Sequence, residues 1–297
     1  MSFLIYSFAW HLIRLMPEKS AYRLGDWIAH YAISRDGRRV RRFRENLRIV
    51  MGYPSERELE SMLESAMRSN LRYWIDTFRF PNWSRERMRS TVKVHNRAVF
   101  DDLMGQGNGL IVALPHAGNW DHAGAFFCAE GFPLVTVAEH LKPERLFRKF
   151  LAYREAMGME VLDLDGKVTA QLEKRLREGR LIALVADRDL SASGVFVDFF
   201  GKKAKFPPGP AKLAITTGAP LITAFVSFTE AGIHVDFSEP IATSNRSGDV
   251  AKQVEAITQE IAWNFERGIR SLPQDWHMLQ RVFIDSSTEH RKENQSS

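Results

Sequence analysis

From Thr91 onward the chain alternates short apolar runs with helical patterns, and this constrains its architecture more than any other feature. Thr91–His95 and Ile233–Phe237 alternate like strands, and Leu110–Leu114, Leu134–Ala138 and Val161–Leu164 are short apolar or alternating runs. Leu181–Ala186 and Leu221–Phe228 read as buried strands. Helical spacing falls between several of them, at Asp121–Glu130, Pro143–Met157, Lys167–Glu178, Pro210–Thr217 and Val250–Arg270. Strands interleaved with helices predict an α/β fold with a mainly parallel central sheet flanked by helices. At 297 residues and 44% hydrophobic residues, the chain can bury a large core.

Residues 1–90 read differently, as a helical N-terminal part. Ser2–Met16 is apolar, but His11, Arg14 and Pro17 interrupt it. A spanning helix needs roughly 20 apolar residues, and a signal peptide needs leading positive charge and trailing small residues. Two readings remain: an amphipathic helix lying in a membrane interface through Trp10, or a helix capping the core. Glu18–Ile33 continues the pattern, with Leu24, Trp27, Ile28 and Tyr31 on one face. A cluster follows of Arg35, Arg38, Arg39, Arg41, Arg42, Arg44 and Arg48, threaded by Phe43, Leu47 and Val50 at helical spacing. Beside an apolar segment, such a cluster favours anionic lipid headgroups. It carries no recognition-helix or RNA-binding aromatic signature, so no nucleic-acid partner is expected. Ser55 to Glu58 forms a capping box that opens a long helix to about Phe80, broken by Pro81. The expected parts are therefore 1–90, helical and membrane-docking, 91–285, the α/β core, and 286–297, a polar disordered tail, all in one structural unit.

The chemistry is concentrated after the Leu110–Leu114 run. Pro115-His116-Ala117-Gly118-Asn119 places a histidine over a tight turn at the carboxyl end of a strand, where α/β proteins carry out their reactions. A neutral imidazole takes a hydroxyl proton near neutral pH and needs a partner on its other nitrogen to orient it. Asp121 is one candidate, and its alternative role is to interact with the helix dipole. Carboxylates at later strand ends are the rivals. Backbone N–H groups around Gly118–Trp120 could stabilise a tetrahedral oxyanion, with Asn119 or Arg188 as side-chain alternatives. No Gly-x-Ser-x-Gly element suggests an acyl-enzyme. The single Cys128 excludes an intrachain disulfide and suits a reducing compartment. His122 and His140 lack metal-ligand partners at useful spacing, so no metal is expected. His95, His234 and His277 read as structural or surface residues.

Three further signals make the histidine specific: Asp187-Arg188-Asp189-Leu190 after a strand, Gly194 through Phe199-Phe200-Gly201, and Pro207-Pro208-Gly209-Pro210 leading into a helix. With the His116…Asp121 spacing they resemble the bacterial lipid A biosynthesis acyltransferase family, within the glycerolipid acyltransferase fold, over roughly Arg41 to Arg281. The Asp-Arg-Asp-Leu form and the short N-terminal segment resemble in particular its actinobacterial branch, which acylates phosphatidylinositol mannosides. The resemblance implies an acyl-CoA donor, with no permanently bound cofactor, and the 6-hydroxyl of a mannose on phosphatidylinositol as acceptor. It implies His116 as general base and adds a later strand-end carboxylate, Asp187 or Asp189, to Asp121 as the group that could orient it. It also implies Glu139 and Arg154 on the acceptor side, and a peripheral location on the cytoplasmic face of the plasma membrane. Lys202 and Lys203 could attract cofactor phosphates or the membrane, or simply form a solvated loop. Competing expectations are acylation of lipid A or another glycolipid, acyl-CoA hydrolysis, and a peripheral lipid-binding protein.

Overall fold

A computed structural model describes residues 10–138, 144–164, 167–189, 191, 193–243 and 248–284. The first nine residues, Glu139, His140 and the expected polar tail lie outside them. The described helices include α1 (Glu18–Arg35), α2 (Arg38–Val50), α3 (Glu56–Arg79) and the short α4 (Arg85–Ser90). Then come β1 (Val92–His95), α5 (Arg97–Gly105), β2 (Leu110–Leu114), α6 (Trp120–Ala129), β3 (Leu134–Ala138), α7 (Glu144–Ala156) and β4 (Glu160–Asp163). The rest of the core comprises α8 (Val168–Arg177), β5 (Leu181–Val185), β6 (Val195–Phe199), β7 (Lys202–Phe206), α9 (Gly209–Thr217), β8 (Leu221–Phe228), β9 (Ile233–Phe237) and α10 (Val250–Ser271).

The expected mainly parallel sheet is present. Its order is β1-β9-β8-β2-β5-β3-β4, and only the β8–β9 pair within it is antiparallel. β2 lies at its centre, between β8 and β5, and each of its residues is buried. Covering both faces of a parallel strand explains why Leu110–Leu114 is a continuous apolar run rather than an alternating one.

The N-terminal helices form as their spacing predicts. The capping box at Ser55 closes from both sides: Glu58 N–H donates to Ser55 Oγ at 3.4 Å, and Ser55 N–H to Glu58 Oε2 at 2.9 Å. Helix α1 turns its small residues Ala21, Gly25 and Ala29 toward α3 and leaves Trp27 and Tyr31 exposed and stacked on each other. The cause is proximity. A Cβ at Gly25 would lie 2.5 Å from Ile75 Cδ1, so the helices approach too closely to hold aromatic side chains between them. Trp10 also departs from the interfacial reading, since it is buried against Phe78, Phe150 and Tyr153.

A β-hairpin stands where a solvated lysine loop was one of the expectations. Phe199 pairs with Lys202, and the two residues between them both have positive φ, 51° at Phe200 and 69° at Gly201. This is the geometry of a tight two-residue hairpin turn, which suits the right-handed twist of the strands. Val197, Phe199, Ala204 and Phe206 face the core. The Gln259 side chain bonds both Asp198 N–H and Asp198 C=O at 2.8 Å, fastening the hairpin to α10.

Candidate functional site

The site follows from the register of two neighbouring parallel strands. Leu114, the last residue of β2, pairs with Val185, the last of β5. Ala186 N–H continues the ladder to Leu114 C=O at 2.9 Å. His116 and Asp187 each stand two residues beyond those paired ends, so the sheet delivers them side by side.

The contact between them is close and directional. His116 Nδ1 lies 2.6 Å from Asp187 Oδ1, and His116 N–H donates to Asp187 Oδ2 at 2.9 Å. The Trp276 indole N–H also donates to Oδ2, at 2.9 Å. A carboxylate can only accept these bonds, so Nδ1 carries the proton, and in the neutral imidazole Nε2 keeps the lone pair. Asp187 is fully buried, whereas the His116 side chain remains 39% exposed. Burial alone would raise the Asp187 carboxyl, but the attraction of His116 and the hydrogen bonds from His116 and Trp276 outweigh it and hold it below its ordinary value.

The loop that carries His116 is tightly specified. Pro115 cannot extend the β2 ladder, and Gly118 takes φ +57°, where a Cβ would meet Val226 C=O at 2.6 Å. Asn119 caps α6, its amide oxygen accepting His122 N–H at 2.9 Å. It is fully buried, and its Nδ2 has no partner among the described residues. Two of the backbone donors before the helix are committed: Ala117 N–H to Pro115 C=O and Gly118 N–H to Asp275 C=O, both at 2.8 Å. The Gly118 amide expected as an oxyanion donor is therefore already occupied. The N–H groups of Trp120 and Asp121, in the first turn of α6, have no acceptor within the helix.

Asp121 belongs to a second cluster, so the expectation that it orients His116 is corrected. Its Oδ2 accepts Tyr73 O–H at 2.9 Å and its Oδ1 accepts Arg154 Nε–H at 2.8 Å. The strand register explains this, because it gives the imidazole a carboxylate from β5 and leaves Asp121, on α6, facing α3 and α7. Burial opposes the Arg154 charge, yet the attraction of Asp121 prevails and binds the proton more firmly than usual. Tyr73, buried beside Asp121, has its hydroxyl pushed well up, by burial first and then by that carboxylate. Tyr73 stacks on Trp120 with centroids 4.2 Å apart, and Trp120 meets His116 edge-on at 5.6 Å. The pair thus supports the wall beside the imidazole. Asp121→Ala would leave the guanidinium buried without its counter-charge, and the expected loss of stability is about 3–5 kcal/mol. Urea unfolding measures it, and an unchanged midpoint would show that the pair carries no such weight.

The other expected site residues are distributed around this centre. Arg188 follows Asp187 and is half-buried. Asp189 closes a local turn, its Oδ1 accepting Ser191 N–H at 2.6 Å, and its own N–H donates to Lys205 C=O at 2.7 Å. Lys202 and Lys203 are exposed on β7, where Lys202 Nζ lies 5.9 Å from the Tyr53 ring and Lys203 pairs with Asp198. No hydrogen bond or ion pair among the described residues joins Asp189, Lys202 or Lys203 to His116. Glu139, expected near the acceptor, lies outside the described residues. Trp276 was not found from sequence, since only the folded chain brings it to Asp187. Among the described residues, no cluster of three or more His, Cys, Asp or Glu side chains could hold a metal ion.

An exposed imidazole on a buried carboxylate thus stands at the strand ends of a mainly parallel α/β sheet. The chain belongs to the bacterial lipid A biosynthesis acyltransferase family, whose model matches residues 1–284, and it is an O-acyltransferase. It is similar to a phosphatidylinositol mannoside acyltransferase of Mycolicibacterium smegmatis, 39% identical over 290 residues, covering 97% of this chain and 93% of the relative. A protein of the same name from Mycobacterium tuberculosis is 37% identical over 292 residues, 97% of this chain and 90% of the relative. A lipid A biosynthesis acyltransferase of Haemophilus influenzae is more distant, 21% identical over 83% of this chain and 76% of its own.

Proposed function

We propose that the protein transfers a fatty acyl group from acyl-CoA to a mannose 6-hydroxyl of a phosphatidylinositol mannoside, with His116 as the general base. The observation that carries the mechanism is the 2.6 Å contact of His116 Nδ1 with buried Asp187, which leaves Nε2 free to accept a proton. Nε2 takes the proton of the sugar hydroxyl as its oxygen attacks the thioester carbonyl. The C–O bond forms, the tetrahedral oxyanion collapses, and the C–S bond breaks. The protonated imidazole, steadied by Asp187, then returns the proton to the departing CoA thiolate. The amino end of α6 favours the oxyanion, with Trp120 N–H as backbone donor. Asn119 Nδ2, a buried donor without a partner among the described residues, remains a candidate beside it. The names of the relatives at 37–39% identity support this acceptor.

The same reading places the enzyme on the cytoplasmic face of the plasma membrane, held peripherally. Among the described residues, no helix is long and apolar enough to cross a membrane. The face that suits a lipid interface is not Trp10 but exposed Leu12, Leu15, Trp27 and Tyr31, close in sequence to the arginines of α2. The test is lipid mass spectrometry after incubating the purified protein with acyl-CoA and mannosylated phosphatidylinositol, lipid A precursor or buffer. The expected outcome is an acylated mannoside. Acylation confined to the lipid A precursor would replace the acceptor, and free fatty acid formed equally in all three would indicate a hydrolase. With the acceptor in anionic vesicles, the Trp27→Ala, Tyr31→Ala double variant should bind less protein while still acylating detergent-dispersed acceptor. Unchanged vesicle binding would reject this face.

A further inference from the structure

The segment after α10 runs directly behind the catalytic loops and touches both of them. It starts with a single 3₁₀ turn, Pro273–Asp275, and continues through Trp276, His277 and Met278. On the side of the β2 loop, Asp275 C=O accepts Gly118 N–H at 2.8 Å, and His277 N–H donates to His116 C=O at 2.7 Å. Ala117 and Trp276 between them form an antiparallel bridge. On the side of the β5 loop, the indole N–H of Trp276 holds Asp187 Oδ2 at 2.9 Å. This strap is itself anchored in the helical layer. Ser69 of α3 donates its hydroxyl to Asp275 Oδ1 at 2.6 Å and lies 2.8 Å from His277 Nε2, and Asn46 of α2 donates to both Met278 C=O and Gln280 C=O at 2.8 Å. Asp275 Oδ2 accepts Phe228 N–H at 2.9 Å, tying the strap to β8 as well.

We propose that Trp276 is a positioning residue for acyl transfer: its indole N–H, held in place by the Ser69–Asp275 anchor, fixes the Asp187 carboxylate so that Oδ1 meets His116 Nδ1. Two donors, the His116 N–H and the indole, share Oδ2, and that leaves Oδ1 alone for the imidazole. The carboxylate could otherwise rotate about its Cβ–Cγ bond and let the imidazole turn with it. The indole is fully buried and lies against Phe199 and Phe283, at centroid distances of 5.9 and 6.5 Å, so its own orientation is set by packing. Trp276 touches no reacting atom on this account, and its effect passes through Asp187. The inference rests on His116 being the base.

The test is Trp276→Phe, which retains a buried aromatic ring and removes the donor. The expected result is a fall in kcat of about 10- to 100-fold with KM within about twofold of wild type. In a His116→Ala background the same substitution should cost nothing further, because the group it serves is gone. A kcat within twofold of wild type would overturn the proposal, as would a loss that multiplies fully with that of His116→Ala. Full activity of His116→Ala alone would instead remove the base assignment, and the strap's role with it. Ser69→Ala provides a second route that leaves the indole intact. A loosened anchor should lower kcat about 3- to 10-fold at unchanged KM, and again add nothing to His116→Ala. Wild-type kcat in a folded Ser69→Ala would overturn the anchoring half of the proposal.

Discussion

His116→Ala is expected to lower the rate of acyl transfer about a thousandfold or more, while circular dichroism shows that the variant is folded. The sugar hydroxyl is a poor nucleophile until its proton is withdrawn, and the 39% exposed imidazole stands where an acceptor could reach it. The fold does not depend on that ring in the same way, because the loop's backbone is also held by Asp187 Oδ2, Asp275 C=O and His277 N–H rather than by the imidazole alone. The loss should appear in kcat more than in KM, since proton removal belongs to the transition state.

Asp187→Asn carries the second large effect, and here the structure predicts the direction in which the new amide turns. Oδ2 receives two donors, His116 N–H and the Trp276 indole, both at 2.9 Å. An asparagine has one acceptor oxygen, and these two donors hold it in that place. Its NH₂ must then face His116 Nδ1, which becomes an acceptor and moves the imidazole proton to Nε2. The variant keeps its shape but presents a protonated nitrogen to the substrate. A loss on the order of a thousandfold to ten-thousandfold is expected, as for tautomer reversal in other histidine–carboxylate sites. Steady-state kinetics with matched unfolding curves measure it. Activity within tenfold of wild type would mean that the carboxylate does not set the tautomer.

The parts of this site that were legible in the sequence were those encoded locally. The run Leu110–Leu114, the Pro115 stop and the small residues after His116 specify a strand, a turn and a helix start within a dozen positions, and the structure contains them. The capping box at Ser55 was readable for the same reason. Asp187 was among the candidates named for orienting His116, but the choice between it, Asp121 and Asp189 was not legible, because it depends on which strand lies beside β2. Asp121 was near in sequence and Asp187 distant, yet Leu114 pairs with Val185 and the nearer carboxylate turns to Tyr73 and Arg154. Trp276 is further still from local encoding, since its role exists only after α10 has crossed the sheet. The inward face of α1 was not identified, because hydrophobic periodicity marks large residues, whereas Ala21, Gly25 and Ala29 make the contact by being small. The Phe200-Gly201 turn shows the same gap. A bulky residue at φ 51° is an unusual choice for a tight hairpin, so no hairpin was read there and a solvated loop remained one expectation for the lysines that follow.

The most direct test of the central claim compares wild-type protein and a folded His116→Ala variant by lipid mass spectrometry, each with acyl-CoA and a mannosylated phosphatidylinositol. Acylated mannoside from the wild type and about a thousandfold less from the variant in the same time is the predicted result. Equal yields of acylated mannoside from the two proteins would contradict it.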